Sequence, residues 1–142
     1  MFKFLLLFLL ALPAARAQGE AWLTIIGDPT NAVVDTIQVN PIPVSVSGDL
    51  RTMRVRVNRL SERNNWDGIP YRSYESSVLF DCASNTARYL EIRFYMQPLW
   101  LGQPHTSVAY SSNMPRWMLF GGVEPSPYQR IIYAACEAMG RR

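Results

Sequence analysis

Three consecutive stretches in the middle of the chain alternate apolar and polar side chains with a period of two, and this pattern constrains the fold more than any other feature. They cover residues 53–58, 74–82 and 89–95. A period of two predicts β-strands that each have one buried face. Residues 83–86, directly after the second stretch, form a connection of hairpin length. The sequence therefore predicts an antiparallel sheet with one apolar side.

The last of these stretches also predicts which side chains face the core. Leu90, Ile92 and Phe94 share one side of the strand, whereas Tyr89 and Arg93 lie on the other side. The polar sides of the three strands carry charges of both signs, which favours pairing between neighbouring strands. We therefore expect one apolar face and one charged face.

Shorter apolar runs on either side add further strands. Residues 22–26 and 33–39 precede the central strands, and residues 107–110 and 117–120 follow them. Residues 60–71 are rich in Asn, Gly, Asp and Pro, which predicts the longest loop in the middle of the chain. We expect about six strands in all, because Pro and Gly residues interrupt the segment 97–122 that contains the last two runs.

The C-terminal segment predicts one helix. Ser126 is a candidate N-cap, Pro127 fits the first helical position, and Gln129 stands where a capping box requires it. An apolar stripe at helical spacing follows; it includes Ile131, Ile132, Ala135 and Cys136. The helix should bury this stripe against the sheet.

The first residues have the features of a cleaved signal peptide. Lys3 provides a positive charge, and residues 4–12 form an apolar run too short to span a bilayer. Residues 15–17, Ala-Arg-Ala, match the small-x-small pattern that signal peptidase reads. We predict that residues 1–17 are removed and that residues 18–142 form one exported domain without a membrane span.

The two cysteines fit this exported location. In an oxidising compartment an even number of cysteines favours a disulfide. Cys82 lies on the apolar side of a predicted strand, and Cys136 lies on the apolar stripe of the predicted helix. A metal pair or a reactive thiol are the alternatives. The sequence thus predicts an α+β domain with a single antiparallel sheet of about six strands, whose C-terminal helix packs on one face and is stapled there by one disulfide.

Composition and motifs give little support to several functional classes. Loss of Lys3 and Arg16 with the leader lowers the formal net charge from +3 to about +1, so nucleic acid is not an implied partner. His105 is the only histidine and lies in a polar, loop-like context. Metal-binding motifs, glycine-rich phosphate loops and clustered carboxylates are not found in the sequence. We predict no enzymatic activity, no metal and no cofactor.

Arginine and tryptophan side chains are the candidate binding groups. Residues 51–59 carry four arginines in a basic strand, of which Arg54 and Arg56 alternate with apolar residues, and Arg93 lies on the polar side of a later strand. Trp66 lies in the predicted central loop, where an exposed aromatic residue can anchor a partner. The alternatives are a solvated sheet face beside acidic residues and a tryptophan that anchors its loop to the core.

Several of these features occur in the order found in a known family. They are the run from Tyr74 to Cys82, the spacing Tyr95-x-x-Pro98-x-x-x-Gly102, the element Pro115-Arg116-Trp117 and the terminal helix with Cys136. The chain resembles the surface-adhesin protein E family over roughly residues 20 to 138. The resemblance implies an antiparallel sheet with a C-terminal helix and binding of extracellular-matrix or plasma proteins of a host.

Two functional hypotheses remain. The first is an exported adhesin-type protein at the outer cell surface that binds a host matrix or plasma protein, with a homodimer possible. The alternative is a periplasmic accessory domain that binds a component of the cell envelope.

Overall fold

A computed structural model describes residues 21–121 and 123–137. The predicted leader lies outside these residues. The described elements are β1 (Leu23–Ile26), β2 (Thr36–Val39), β3 (Ser45–Ser47), β4 (Leu50–Asn64), β5 (Pro70–Asp81), β6 (Thr86–Tyr95), β7 (Thr106–Ala109), β8 (Arg116–Trp117) and α1 (Tyr128–Cys136), with a short 3-10 turn (Pro98–Trp100) after β6.

All strands belong to one antiparallel sheet in the order β1-β2-β4-β5-β6-β7. The short strand β3 pairs with β4 beside β2, and β8 pairs with β6 beside β7. The α+β prediction is confirmed, with eight strands among the described residues rather than about six. Of the two shortest strands, β8 overlaps the strand predicted over residues 117–120, whereas β3 is additional, because three residues are too few to show a period in the sequence.

A β-bulge in β6 changes which of its side chains face the core. Ser77 pairs with Glu91, but the next residue of β5, Val78, pairs with Tyr89, so Leu90 is an extra residue on β6. Such a bulge reverses the alternation on one side of it. Tyr89 is therefore buried and Leu90 is partly exposed, so the predicted orientation of these two side chains is wrong. Burial of Ile92 and Phe94 is as predicted.

The predicted central loop is shorter than expected because the two longest strands extend into it. β4 continues to Asn64 and β5 begins at Pro70. The turn between them is closed by Asn65, whose Oδ1 accepts hydrogen bonds from the backbone N–H groups of Asp67 (2.9 Å) and Ile69 (2.8 Å). The prediction of a loop over residues 60–71 is therefore wrong in extent.

The helix α1 packs on one side of the sheet, where it contacts β1, β2, β4 and β5. We call this side the inner face and the opposite side the outer face. Pro127, rather than Ser126, is the N-cap residue, and Ser126 Oγ accepts a 3.4 Å hydrogen bond from the backbone N–H of Tyr128. The predicted capping box is not formed. The apolar stripe is buried as predicted.

The C-terminal end of α1 is fixed to the sheet in two ways. The predicted disulfide joins Cys82 to Cys136, with Cα atoms 5.7 Å apart. Arg51 of β4 is buried and its Nη1 donates hydrogen bonds to the carbonyls of Ala135 (3.1 Å) and Cys136 (3.0 Å). A cation is favourable at this end of a helix, where carbonyl groups lack partners within the helix.

The core lies between the inner face and α1. Its largest fully buried apolar side chains come from strands, from α1 and from the segment before it: Phe80, Phe94, Ile37, Met53, Ile92, Met118, Ile131, Val39, Val55, Val57 and Val78. No helix within residues 21–121 and 123–137 is long and apolar enough to cross a membrane.

Candidate functional site

The outer face carries a stack of one arginine between two tryptophans. The guanidinium carbon of Arg56 lies 4.3 Å from the ring centroid of Trp22 and 3.9 Å from that of Trp100. Its Nε donates a 2.7 Å hydrogen bond to Gln38 Oε1. Each cation–π contact contributes about 0.5–2 kcal/mol, depending on how well water is excluded. We call Trp22, Arg56 and Trp100 the Trp-Arg-Trp stack.

The 3-10 turn holds Trp100 in this stack. Leu99 and Trp100 both have positive φ, at 53° and 58°, a region that costs non-glycine residues about 1–2 kcal/mol each. Hydrogen bonds to the sheet offset this strain. Leu99 N–H donates to Asn58 Oδ1 (2.8 Å), Trp100 N–H donates to Ser73 Oγ (3.0 Å), and the Trp100 indole donates to the carbonyl of Tyr74 (2.9 Å). The indole is therefore positioned before any partner arrives.

Beside this stack, two arginines share one carboxylate. Glu75 Oε2 lies 3.7 Å from Arg54 Nη2 and 3.1 Å from Arg93 Nη2. The side chain of Arg93 is 44% exposed, whereas that of Glu75 is only 16% exposed. Arg93 is thus more open to solvent than Glu75, and the exposed Glu91 lies on the same surface.

The inner face contains a second candidate site, a cavity of about 330 Å³. It lies between the sheet and residues 117–121. Its aromatic lining residues come from both sides: Trp66, Tyr71, Tyr74, Tyr89, Phe94, Trp117 and Phe120. We call it the aromatic cavity.

Trp66 forms part of the rim of this cavity. Its ring centroid is 6.0 Å from that of Tyr89 and 5.9 Å from that of Tyr110, and the guanidinium of Arg116 lies 5.6 Å from it. The residue is 48% exposed. Trp66 therefore both anchors its turn to the core and presents one side to solvent, so each of the two sequence-based interpretations describes part of its environment.

Two phenols at the base of the cavity hydrogen-bond to each other. The hydroxyl oxygens of Tyr74 and Tyr89 are 2.5 Å apart. Burial raises the pKa of both phenols, more strongly than the nearby charge of Arg59 lowers it. Both groups therefore keep their protons at neutral pH. Their mutual bond uses one of the two protons, so the pair still has one to donate.

Arg59 is the buried charged group that lines this cavity. It is only 4% exposed, and its Nε lies 3.4 Å from Asp35 Oδ1. Its Nη2 has no hydrogen-bond partner among the described residues, and neither has Nδ2 of Asn65, which also lines the cavity. A buried donor without an acceptor costs about 1–3 kcal/mol. The fold therefore maintains buried donors without a hydrogen-bonded acceptor on both Arg59 and Asn65.

The structure separates the four binding residues proposed from the sequence. Arg54, Arg56 and Arg93 lie together on the outer face, whereas Trp66 lies at the aromatic cavity on the inner face. The interpretation of residues 51–59 as one basic strand is wrong, because its four arginine side chains do not all lie on the same face of the sheet. Arg51 and Arg59 are buried and point inward, since they have the same parity as the core residues of β4.

The sequence singled out Arg56 as a candidate binding residue, but it predicted neither the stacking of Arg56 with Trp22 and Trp100 nor the buried pair of phenols. Trp22 precedes the first strand and Trp100 follows β6, and only the sheet brings both of them to Arg56. The alternation along β4 was a usable signal for Arg59, because odd-numbered positions of this strand face the core. No pattern could have indicated Tyr89, since the bulge at Leu90 reverses its orientation.

The chemistry of catalysis is sparse in the described part of the chain. Both ring nitrogens of His105 have hydrogen-bond partners: Nε2 lies 2.8 Å from the carbonyl of Pro70, and Nδ1 lies 2.8 Å from Thr106 Oγ1. Within residues 21–121 and 123–137, three or more His, Cys, Asp or Glu side chains do not come together as a metal site.

These features define a class of fold: a disulfide-linked antiparallel-sheet domain whose outer face carries arginine and tryptophan side chains. Residues 22–137 match the model of the surface-adhesin protein E family, and the chain belongs to that family. No curated protein and no solved structure matches it significantly. Membership indicates an exported protein with a surface adhesin role and therefore a partner to bind.

Proposed function

We propose that this protein is an exported, non-enzymatic adhesin that binds a host extracellular-matrix or plasma protein through its outer face. The observation that carries the proposal is the Trp-Arg-Trp stack beside Arg93. Arginine and tryptophan are the residue types that most often dominate the binding energy of protein interfaces. Here they are already fixed in position, which lowers the entropy lost on association.

The charge of the outer face suggests the kind of segment it binds. Arg54 and Arg93 share Glu75, and Arg93 is the most exposed of the three. An acidic segment of a partner can pair with Arg93 while an apolar or aromatic residue packs on the exposed edges of the stack. We therefore propose an acidic, aromatic-containing protein segment as the ligand of this face.

Location is tested first, because an adhesin must be accessible from outside. Intact producing cells are treated with protease, and the domain is then detected before and after lysis. Digestion without lysis supports the proposal. Protection until lysis contradicts it and favours the periplasmic accessory domain that binds an envelope component.

A matched pair of variants then tests the surface. Arg93→Gln removes an exposed arginine paired with Glu75 at 3.1 Å, and Arg116→Gln removes one paired with Asp67 at 3.5 Å away from the outer face. Exposed pairs of this kind contribute little to stability. With matrix and plasma proteins immobilised one at a time, Arg93→Gln should weaken binding several-fold and Arg116→Gln should not. Equal effects of the two variants would contradict the use of the outer face.

A further inference from the structure

We propose that the aromatic cavity binds a small monoanionic carboxylate with a flat apolar body, an aryl carboxylate. The cavity lies on the inner face, so this binding is separate from the protein-binding role proposed for the outer face. Its volume of about 330 Å³ is near the lower limit of pockets that enclose small molecules.

The unpartnered groups of the cavity are all hydrogen-bond donors. Nη2 of Arg59 and Nδ2 of Asn65 have no acceptor among the described residues. The orientation of the Asn65 amide is settled by its Oδ1, which accepts two backbone N–H groups; the amino group is therefore the end left to donate. The pair formed by Tyr74 and Tyr89 has one further proton to donate. Donors of this kind require a ligand that brings acceptors.

The charges favour a single negative charge on the ligand. Arg59 and Arg63 both line the cavity, and none of its described lining residues is acidic. Asp35 partly balances Arg59 from outside the cavity, at 3.4 Å from Nε. About one positive charge is thus left to be matched. Guanidinium groups pair most favourably with the planar, two-oxygen geometry of a carboxylate.

The walls of the cavity favour a flat apolar body. Tyr71, Tyr74 and Phe94 form a cluster of rings whose centroids are 5.5 to 6.0 Å apart, and Trp66 closes the rim. Aromatic faces and edges pack well against another ring. A carboxylate attached to a ring would place its oxygens toward Arg59 and its ring among these side chains.

The test compares benzoate with benzamide, which has the same shape and no charge. Each is titrated into the full mature domain labelled with ¹⁵N, and the indole N–H signals of the tryptophans are followed by NMR. We expect a saturable shift of the Trp66 signal with benzoate, and binding of benzamide at least ~10-fold weaker, because it lacks the charge that the guanidinium recognises. Equal binding of the two, or no saturable shift at millimolar benzoate, would overturn the proposal.

A double variant locates the charge responsible. Asp35→Asn with Arg59→Gln removes both charges of the ion pair. The amide oxygen at position 35 would still accept the hydrogen bond that Leu60 N–H donates to Asp35 Oδ1 in the wild type. Benzoate affinity should fall at least ~10-fold in this variant. Arg93→Gln, an arginine of the outer face, serves as the control and should bind benzoate as the wild type does. Unchanged affinity in the double variant would refute the role of Arg59. The comparison of benzoate with benzamide needs only the wild-type protein, so it decides the question even if the double variant fails to fold.

Discussion

The disulfide between Cys82 and Cys136 offers the sharpest test of how this domain is held together. The two residues are 54 positions apart in sequence. In the chain-entropy model, a cross-link that closes a loop of this length stabilises the folded state by about 4 kcal/mol, because it restricts the unfolded chain. Domains of this size are typically stable by only about 5–15 kcal/mol. Reduction should therefore remove a large part of the stability.

The structural consequence should appear first in α1. This helix has nine residues, and an isolated helix of this length is not stable in water. After reduction it depends on its buried stripe and on the hydrogen bonds from Arg51. We expect the loss of ellipticity at 222 nm to begin at lower urea concentration in the reduced protein than in the oxidised protein.

The assay is urea unfolding of the wild type with and without reductant, monitored by circular dichroism. Reduction keeps both sulfur atoms in the core, so the change in the free energy of unfolding reports the cross-link rather than lost packing. The control is Cys82→Ala with Cys136→Ala, whose unfolding should not respond to reductant. A difference below ~1 kcal/mol between oxidised and reduced wild type would refute the reasoning, because the entropy of a loop this long predicts about four times as much.

Two further predictions concern buried polar groups. In urea titration, Arg51→Met should lower the free energy of unfolding by about 2 kcal/mol, because the carbonyls at the end of α1 lose charge-assisted hydrogen bonds. The control is Arg54→Met on the outer face of the same strand, which should lower it by less than ~1 kcal/mol. Burial raises the pKa of Tyr74 and Tyr89 in the folded state. The stability contributed by the two protonated phenols is therefore complete below pH ~10, the pKa of an unfolded tyrosine, and is lost as the pH rises from there toward the folded-state pKa. Urea unfolding across this pH range should show the decline in the free energy of unfolding. The prediction is contradicted if tyrosinate absorbance shows that every phenol of the native protein ionises near pH 10.

The central strands were predictable because each has one face buried against the core. This condition imposes a period of two on the sequence, and it correctly placed Met53, Val55, Val57, Val78 and Phe80 in the interior. The helical stripe and the two cysteines were predictable for the same reason, because burial on one face makes apolar residues recur with the period of the helix or strand. The alternation in β4 also placed Arg51 on the inner face and Arg54 on the outer face, although the sequence analysis grouped them as one basic strand.

Features that depend on the register between strands were not predictable. Leu90 is an extra residue only in relation to Ser77 and Val78 on the neighbouring strand, so no local pattern marks it. The bulge nevertheless decides that Tyr89 meets Tyr74 in the core. The turn at Asn65 likewise depends on where β4 and β5 stop pairing.

The sequence by itself determined the class of fold, the disulfide and the membership in the adhesin family, because these follow from periodicity, cysteine count and motif order along the chain. Only the tertiary structure decided the candidate sites. It placed Arg56 between two tryptophans from distant segments, and it gathered Arg59 with Tyr74 and Tyr89 around one cavity. The physical reason is that a site is defined by distances across the sheet, whereas a sequence pattern records only the environment along each strand.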